Sequence, residues 1–314
     1  MERETLNRGF TYTDQIDTDA AGETVLGFYA RRYPHSSEAE WRERIRAGAI
    51  RLDGRRVDQA TILRAGQVLS YERTPWAEPE TPQTFGVLYH DDHVIAVDKP
   101  SGLPVLPGGH HLEHTLLALV RERFGGEVPP SPLHRLGRGT SGIVLFARTQ
   151  RALRRLTEEF TERSITKIYR ALVQGVGLHD ETTIDVPIGR IDYPPTGKLY
   201  AAAPDGAPST SICRLLHENR DQQQSLVEVR IITGRPHQIR IHMAAIGHPL
   251  VGDPLYISGG GPAPLLVDRR PPLPGDCGYH LHAMRLAFRH PETHVLVDLF
   301  SPAPPSLQTP SEST

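Results

Sequence analysis

The stretch His134-Arg135-Leu136-Gly137-Arg138-Gly139-Thr140-Ser141-Gly142 runs directly into an apolar run, Ile143-Val144-Leu145-Phe146-Ala147. Glycines and two arginines just ahead of a strand-length run describe a loop whose backbone can come close to a ligand. Between His134 and Arg155 lie six arginines (135, 138, 148, 151, 154 and 155) and no acid, a local anion-attracting patch. A solvated basic loop fits these residues equally well. A second stretch, Thr233-Gly234-Arg235-Pro236-His237-Gln238-Ile239-Arg240-Ile241-His242, carries the same chemistry. Pro236 suits a first helical turn, so a turn feeds a helix N-terminus, where free N–H groups and the helix dipole favour an anion. His237, Arg240 and His242 can then face one cleft. The plain alternative is a surface helix start with ordinary polar caps.

Working outward, further apolar runs of strand length stand at Val94–Val97, Tyr169–Val173, Leu226–Ile232 and Val295–Phe300. Helical periodicity is clearest in Thr115–Phe124, in Arg151–Arg163 and after Pro236. Strands that do not alternate strictly with helices predict an α+β fold with a mixed, largely antiparallel sheet over residues 87–301. Ahead of it, residues 12–74 have a compact pattern of their own. Residues 37–47 place Trp41 and Ile45 four apart behind Ser36 or Ser37, a capped helix. Asp53-Gly54 between short alternating runs signals a hairpin, and Gly66–Tyr71 supplies another strand. Residues 1–11 read as a polar lead-in and 75–86, rich in Pro, Glu and Thr, as a linker. The Pro/Gly-rich segment 257–278 reads as a loop or insertion, and the Pro/Ser/Thr-rich 302–314 as a disordered tail.

Composition narrows the class. The chain has 314 residues, 38% hydrophobic and 23% charged, enough for a packed core. No run approaches the roughly 18 apolar residues of a spanning helix, and the charged start Met1-Glu2-Arg3-Glu4 lacks the apolar segment of a signal peptide. Two cysteines, Cys213 and Cys277, supply neither a disulfide framework nor a four-cysteine zinc site, so a reducing compartment is expected. A net charge of −2 excludes a protein basic all over, yet patches decide nucleic-acid binding. Three lysines (99, 167 and 198) among 35 basic residues leave the rest to arginine, the better fork for phosphate. Codon bias explains that as simply.

A decoy stands at His110-His111-Leu112-Glu113-His114, the H-x-x-E-H pattern of inverted zinc peptidases. Such a site needs both histidines inside a helix. Here the motif follows Pro107-Gly108-Gly109, so its start falls in a loop, and no metal ligand is assigned. Nor is Gly139–Gly142 a nucleophile elbow, since its spacing differs from G-x-S-x-G.

Taken together, these residues resemble the RluA-type RNA pseudouridine synthases, over nearly the whole chain. His134–Gly142 looks like that family's active-site loop, Lys167–Val173 like its tyrosine-bearing strand, and Thr233–His242 like its arginine–histidine motif. Asp98–Leu103 resembles the opening strand and turn. Gly247–Tyr256 and Leu281–Leu286 complete the order. Residues 12–74 resemble, more weakly, the S4 RNA-binding module often found ahead of this domain.

The resemblance implies cofactor-free isomerisation of uridine to pseudouridine in structured RNA, rRNA or tRNA, by a cytoplasmic monomer without a membrane segment. It implies that Tyr169 packs on the base and handles protons, and that Arg240 pairs with the catalytic carboxylate. RNA contacts fall to Arg135, Arg138, Thr140, Arg235, His237 and Gln238, and in the S4-like module to Arg46, Arg51, Arg55 and Arg56. One position departs. The family's loop normally reads His-Arg-Leu-Asp, that aspartate being the catalytic nucleophile; here it is Gly137, which offers neither nucleophile nor base. Asp253 and Asp98, on motif-bearing segments, are the candidates to replace it. A catalytically inactive RNA-binding protein on the same fold therefore stands as the alternative, with a zinc hydrolase far behind.

Overall fold

A computed structural model describes residues 5–34 and 36–312. The charged start Met1–Glu4 and the last two residues of the tail lie outside the described residues. The chain divides into two compact units: Met1–Pro79 with Tyr193–Gly197, and Glu80–Asp192 with Lys198–Thr314.

The first unit runs β1 (Phe10–Gln15), α1 (Val25–Arg32), α2 (Glu38–Arg46), β2 (Ile50–Leu52), β3 (Arg55–Arg56) and β4 (Val68–Arg73), with its sheet in the order β1-β4-β2-β3. Ser37 caps α2 in a reciprocal capping box with Glu40, which settles where the helix begins. Trp41 and Ile45 turn inward as their spacing dictates. Trp41 stacks on Tyr29 at 4.7 Å and carries the Arg44 guanidinium at 4.3 Å from its ring centre. The polar lead-in and the start of the Pro-rich stretch are built in. Asn7 Nδ2 donates to Glu78 Oε1 at 2.7 Å, and the Asn7 amide to the Trp76 carbonyl at 3.1 Å. β1 is exposed at five of its six positions, which is why its sequence carries no strand pattern.

The second unit contains β5 (Gly86–His90), β6 (Val94–Lys99), α3 (Leu116–Phe124), β7 (Ser131–Pro132), β8 (Ser141–Ala147), α4 (Gln150–Glu162) and β9 (Thr166–Gln174). It continues with β10 (Glu181–Asp185), β11 (Ile188–Tyr193), β12 (Gly197–Ala202), β13 (Thr210–Asn219), β14 (Gln224–Ile231), α5 (Gln238–Ala245), β15 (Leu281–Arg289) and β16 (Leu296–Phe300). The main sheet runs β10-β13-β14-β9-β15-β8-β6-β5 and is antiparallel at each of these pairings except β15–β8. The fold is α+β, with a mixed, largely antiparallel sheet. The runs Val94–Val97 of β6 and Ile143–Ala147 of β8 are apolar because both faces are covered there. Ile95, Val97, Val144 and Phe146 enter the cluster with α3 and α5, while Val94, Ala96, Ile143 and Leu145 enter the one with α4.

One buried cation holds the loop before β8. Lys99, wholly removed from solvent, donates from Nζ to the carbonyls of Pro100 (2.9 Å), Leu103 (2.8 Å) and Arg138 (3.2 Å). Burial pushes its amine down to about 7, but three carbonyl acceptors match the three donors of an ammonium, so we assign the charged form.

Residues 302–312 pack against the domain instead of forming the disordered tail their composition suggests. Pro305–Leu307 make a 3-10 turn that buries Leu307 beside Leu226, and Glu312 grips the buried Arg170 with two bonds of 2.9 and 3.0 Å. Truncation after Ser301 should therefore cost about 2–4 kcal/mol, from a lost apolar contact and an arginine left without its anion. Urea unfolding measures it; an unchanged midpoint would show that the segment contributes nothing.

Candidate active site

The loop 134–142 and the turn 233–240 meet over β9. Gly137, Tyr169, Arg240, Arg135, Thr140, Arg235, His237 and Gln238 line one cavity of about 100 Å³, with Ile231, Tyr279 and Leu281. Eight of the residues singled out from sequence thus converge, though their segments lie far apart in the chain. Arg138 points elsewhere, its Nε donating to the Gly275 carbonyl at 2.9 Å. Arg46, Arg51, Arg55 and Arg56 are all exposed on the first unit, where Arg51 and Arg56 face each other across β2 and β3. Like charges opposed in this way repel unless an anion lies near.

The turn is built from inside. Gln238 is spent on it: Oε1 accepts from Thr233 Oγ1 (2.7 Å) and the Arg235 amide (3.0 Å), and Nε2 donates to Thr210 O and Ser211 Oγ, both at 2.9 Å. It shapes the wall and has no donor left for RNA. His237 sits in the left-handed region at φ 57°, a strained conformation for a side-chain-bearing residue. Tyr256 Oη donates to the Tyr200 carbonyl at 2.7 Å and so accepts from His237 Nδ1, also at 2.7 Å, leaving Nε2 as the bare nitrogen. Burial, then the charge of Arg240, pushes this imidazole down to about 4. His242 does not share the cleft. Two residues past Arg240 on a helix is about 200° of rotation, and the side chain is buried against Ser211 Oγ and the Val186 carbonyl.

Arg240 already has its carboxylate. Its Nε and Nη2 each reach Asp253 at 2.7 Å, with the two side chains 3% and 1% exposed. Nη1 donates to Pro274 O at 3.3 Å, and the guanidinium packs on the rings of Tyr256 (4.9 Å) and Tyr279 (4.2 Å). The anion expected from position 137 is thus supplied by Asp253, which is buried out of the cavity. Asp98 lines a separate, larger recess of about 540 Å³ with Ser141, Tyr279, His280 and His282. That recess exceeds the first in size but holds neither Tyr169 nor Arg240. Among the described residues no Asp or Glu lines the cavity that does.

Sequence reading missed Tyr279. A Cβ placed on Gly137 would stand 2.7 Å from Tyr279 Oη, and one on Gly139 would stand 3.0 Å from Tyr279 Cζ. The two glycines seat this ring, and its hydroxyl occupies the space a side chain at 137 would need. Oη lies 3.3 Å from Thr140 Oγ1. No local pattern links residues 137 and 279. Lastly, His134 is fixed in place, its Nε2 accepting from the Leu145 amide at 3.1 Å while burial pushes it down to about 4. The segment His110–His114 is irregular and precedes α3, so its two histidines are not one helical turn apart.

Residues 93–245 match the RNA pseudouridylate synthase family. The chain is 44% identical to RNA pseudouridine synthase 5 of Arabidopsis thaliana, over 98% of its own length and 96% of the relative's. It is 34% identical to ribosomal large subunit pseudouridine synthase D of Xanthomonas campestris, over 93% and 89%. Among solved structures it is similar to human RNA pseudouridylate synthase domain containing 1, with a TM-score of 0.56 and 27% identity, covering 74% of this chain and 89% of that one.

Two outcomes are expected. Gly137→Ala should cost about 1–3 kcal/mol by overpacking, and most of that cost should vanish in a Tyr279→Phe background, where the next ring atom is 4.0 Å away. A double-mutant cycle by denaturation reads the coupling; strict additivity would contradict the shared space. Second, an unfolded histidine binds its proton near pH 6.5, whereas folded His134 and His237 bind theirs at about 4. Unfolding therefore takes up protons between those values, and stability falls as pH drops through that window. His237→Asn should flatten the fall between pH 7 and pH 5; an unchanged slope would place the proton elsewhere.

Proposed function

This chain belongs to the RluA-type family of RNA pseudouridine synthases, and we propose that it isomerises uridine within structured RNA at the cavity between Tyr169 and Arg240. The observation that carries the reading is the convergence of Arg135, Thr140, Tyr169, His237 and Arg240 on one basic and aromatic site. Such a lining suits a base taken out of its stack. Tyr169, whose phenol burial pushes up to about 12, stays protonated and presents its ring and hydroxyl to the base. Arg135, exposed at the rim, meets phosphate. The reaction rearranges one glycosidic bond and needs no redox partner.

Large-subunit ribosomal RNA is the first substrate class to examine, on the strength of the relative that bears it in its name; transfer RNA follows. The first unit, with its exposed Arg46, Arg51, Arg55 and Arg56, acts as an S4-like module that grips the RNA backbone. The protein works as a monomer in the cytoplasm. No described helix is long and apolar enough to cross a membrane.

Mass mapping of uridine isomers in RNA from cells with and without the gene tests the reading. At least one pseudouridine should depend on the gene. An identical map in both would leave the protein as an RNA binder.

A further inference from the structure

Among the described residues the cavity is lined by no carboxylate, and a phenol stands against the glycine at 137. We propose, resting on the isomerase reading above, that Tyr279 is the catalytic nucleophile of this site. Three observations support it. The Tyr279 hydroxyl lies 2.7 Å from where a side chain at 137 would begin, so it reaches the space that such a side chain would fill. No described Asp or Glu lines the cavity, and its hydroxyls belong to Thr140, Tyr169 and Tyr279. Of these three, Tyr279 has its ring centre 4.2 Å from the Arg240 guanidinium carbon, and that fixed charge opposes the upward push of burial on the phenol and favours negative charge on its oxygen. Asp253 holds that cation without competing for the reacting space. Thr140 Oγ1, at 3.3 Å, orients the hydroxyl.

The step balances without any further reactant. Tyr279 Oη attacks C1′ of the ribose, the N1–C1′ bond breaks with its electron pair going to N1, and the phenolic proton passes to N1. The freed uracil turns and presents C5 to C1′. A C5–C1′ bond forms as the Oη–C1′ bond breaks, and the C5 proton returns to the phenolate. Enzyme and proton count are restored, and pseudouridine carries the proton on N1. Tyrosine as a glycosidic nucleophile has precedent in other carbohydrate chemistry.

The test uses the full chain. Pseudouridine is mapped in cells carrying the gene, lacking it, or carrying Tyr279→Phe, and the purified variant is checked for its melting midpoint and RNA affinity. We expect gene-dependent sites to fall at least ~100-fold in Tyr279→Phe with affinity and midpoint kept, a kcat effect and not a binding one. Gly137→Asp combined with Tyr279→Phe should recover activity, since the carboxylate then has the vacated space. Full modification by Tyr279→Phe would overturn the proposal while leaving the isomerase reading intact; a map with no gene-dependent site would overturn both. Where the variant does not fold, the unaltered protein decides. With protein in excess over RNA, single turnovers are stopped at intervals before completion, while the Oη–C1′ bond still stands. Acid quenching and peptide mass analysis should then find the ribose linked to Tyr279, and a link elsewhere or none would refute the assignment.

Discussion

A guanidinium and a carboxylate, each almost wholly withdrawn from water, set the geometry of this site. Burying an ion pair costs more than it returns unless its remaining hydrogen-bond capacity is met. Arg240 and Asp253 meet that condition. The pair is bidentate, Asp253 Oδ1 also accepts from the amides of Leu255 (2.9 Å) and Tyr256 (3.1 Å), and two aromatic rings pack on the guanidinium. One interaction thereby pins the first turn of α5, the 253–256 turn and the strand-end loop at Pro274. The strained backbone of His237, just before α5, is tolerated because that helix cannot shift away from its anchor.

Lys99 does the corresponding work on the other side. Its ammonium joins the turn after β6 to the carbonyl of Arg138, so the glycine-rich loop is held from within and its exposed side chains stay available. The two buried cations have different partners, a carboxylate for Arg240 and carbonyl dipoles for Lys99. Both immobilise the loops that carry the reacting groups, and so reduce the ordering cost that binding would otherwise meet.

What the sequence revealed follows from burial. Strands β6, β8, β9 and β14 are covered on one or both faces and read as apolar runs; the amphipathic helices α3 and α4 read through their period. Strands β10 to β12 are half-exposed and mix polar with apolar residues, so they carry no comparable run. In the site, the residues on two motif-bearing segments were legible because a turn or helix start concentrates them. His242 leaves the cleft because two residues along α5 turn its side chain to the opposite face from Arg240. Arg240's partner was named as a candidate for another role, since spacing cannot say which acid a buried arginine meets. Tyr279 was illegible: its significance lies in a volume shared with a glycine 142 positions away, and shape complementarity leaves no mark on either neighbourhood.

That shared volume also ties the two positions to one another. A side chain at 137 and the tyrosine at 279 draw on one space, so a larger residue at 137 is accommodated only where the ring at 279 yields. A change at either site alters what the other tolerates, and the two constrain substitution as a pair.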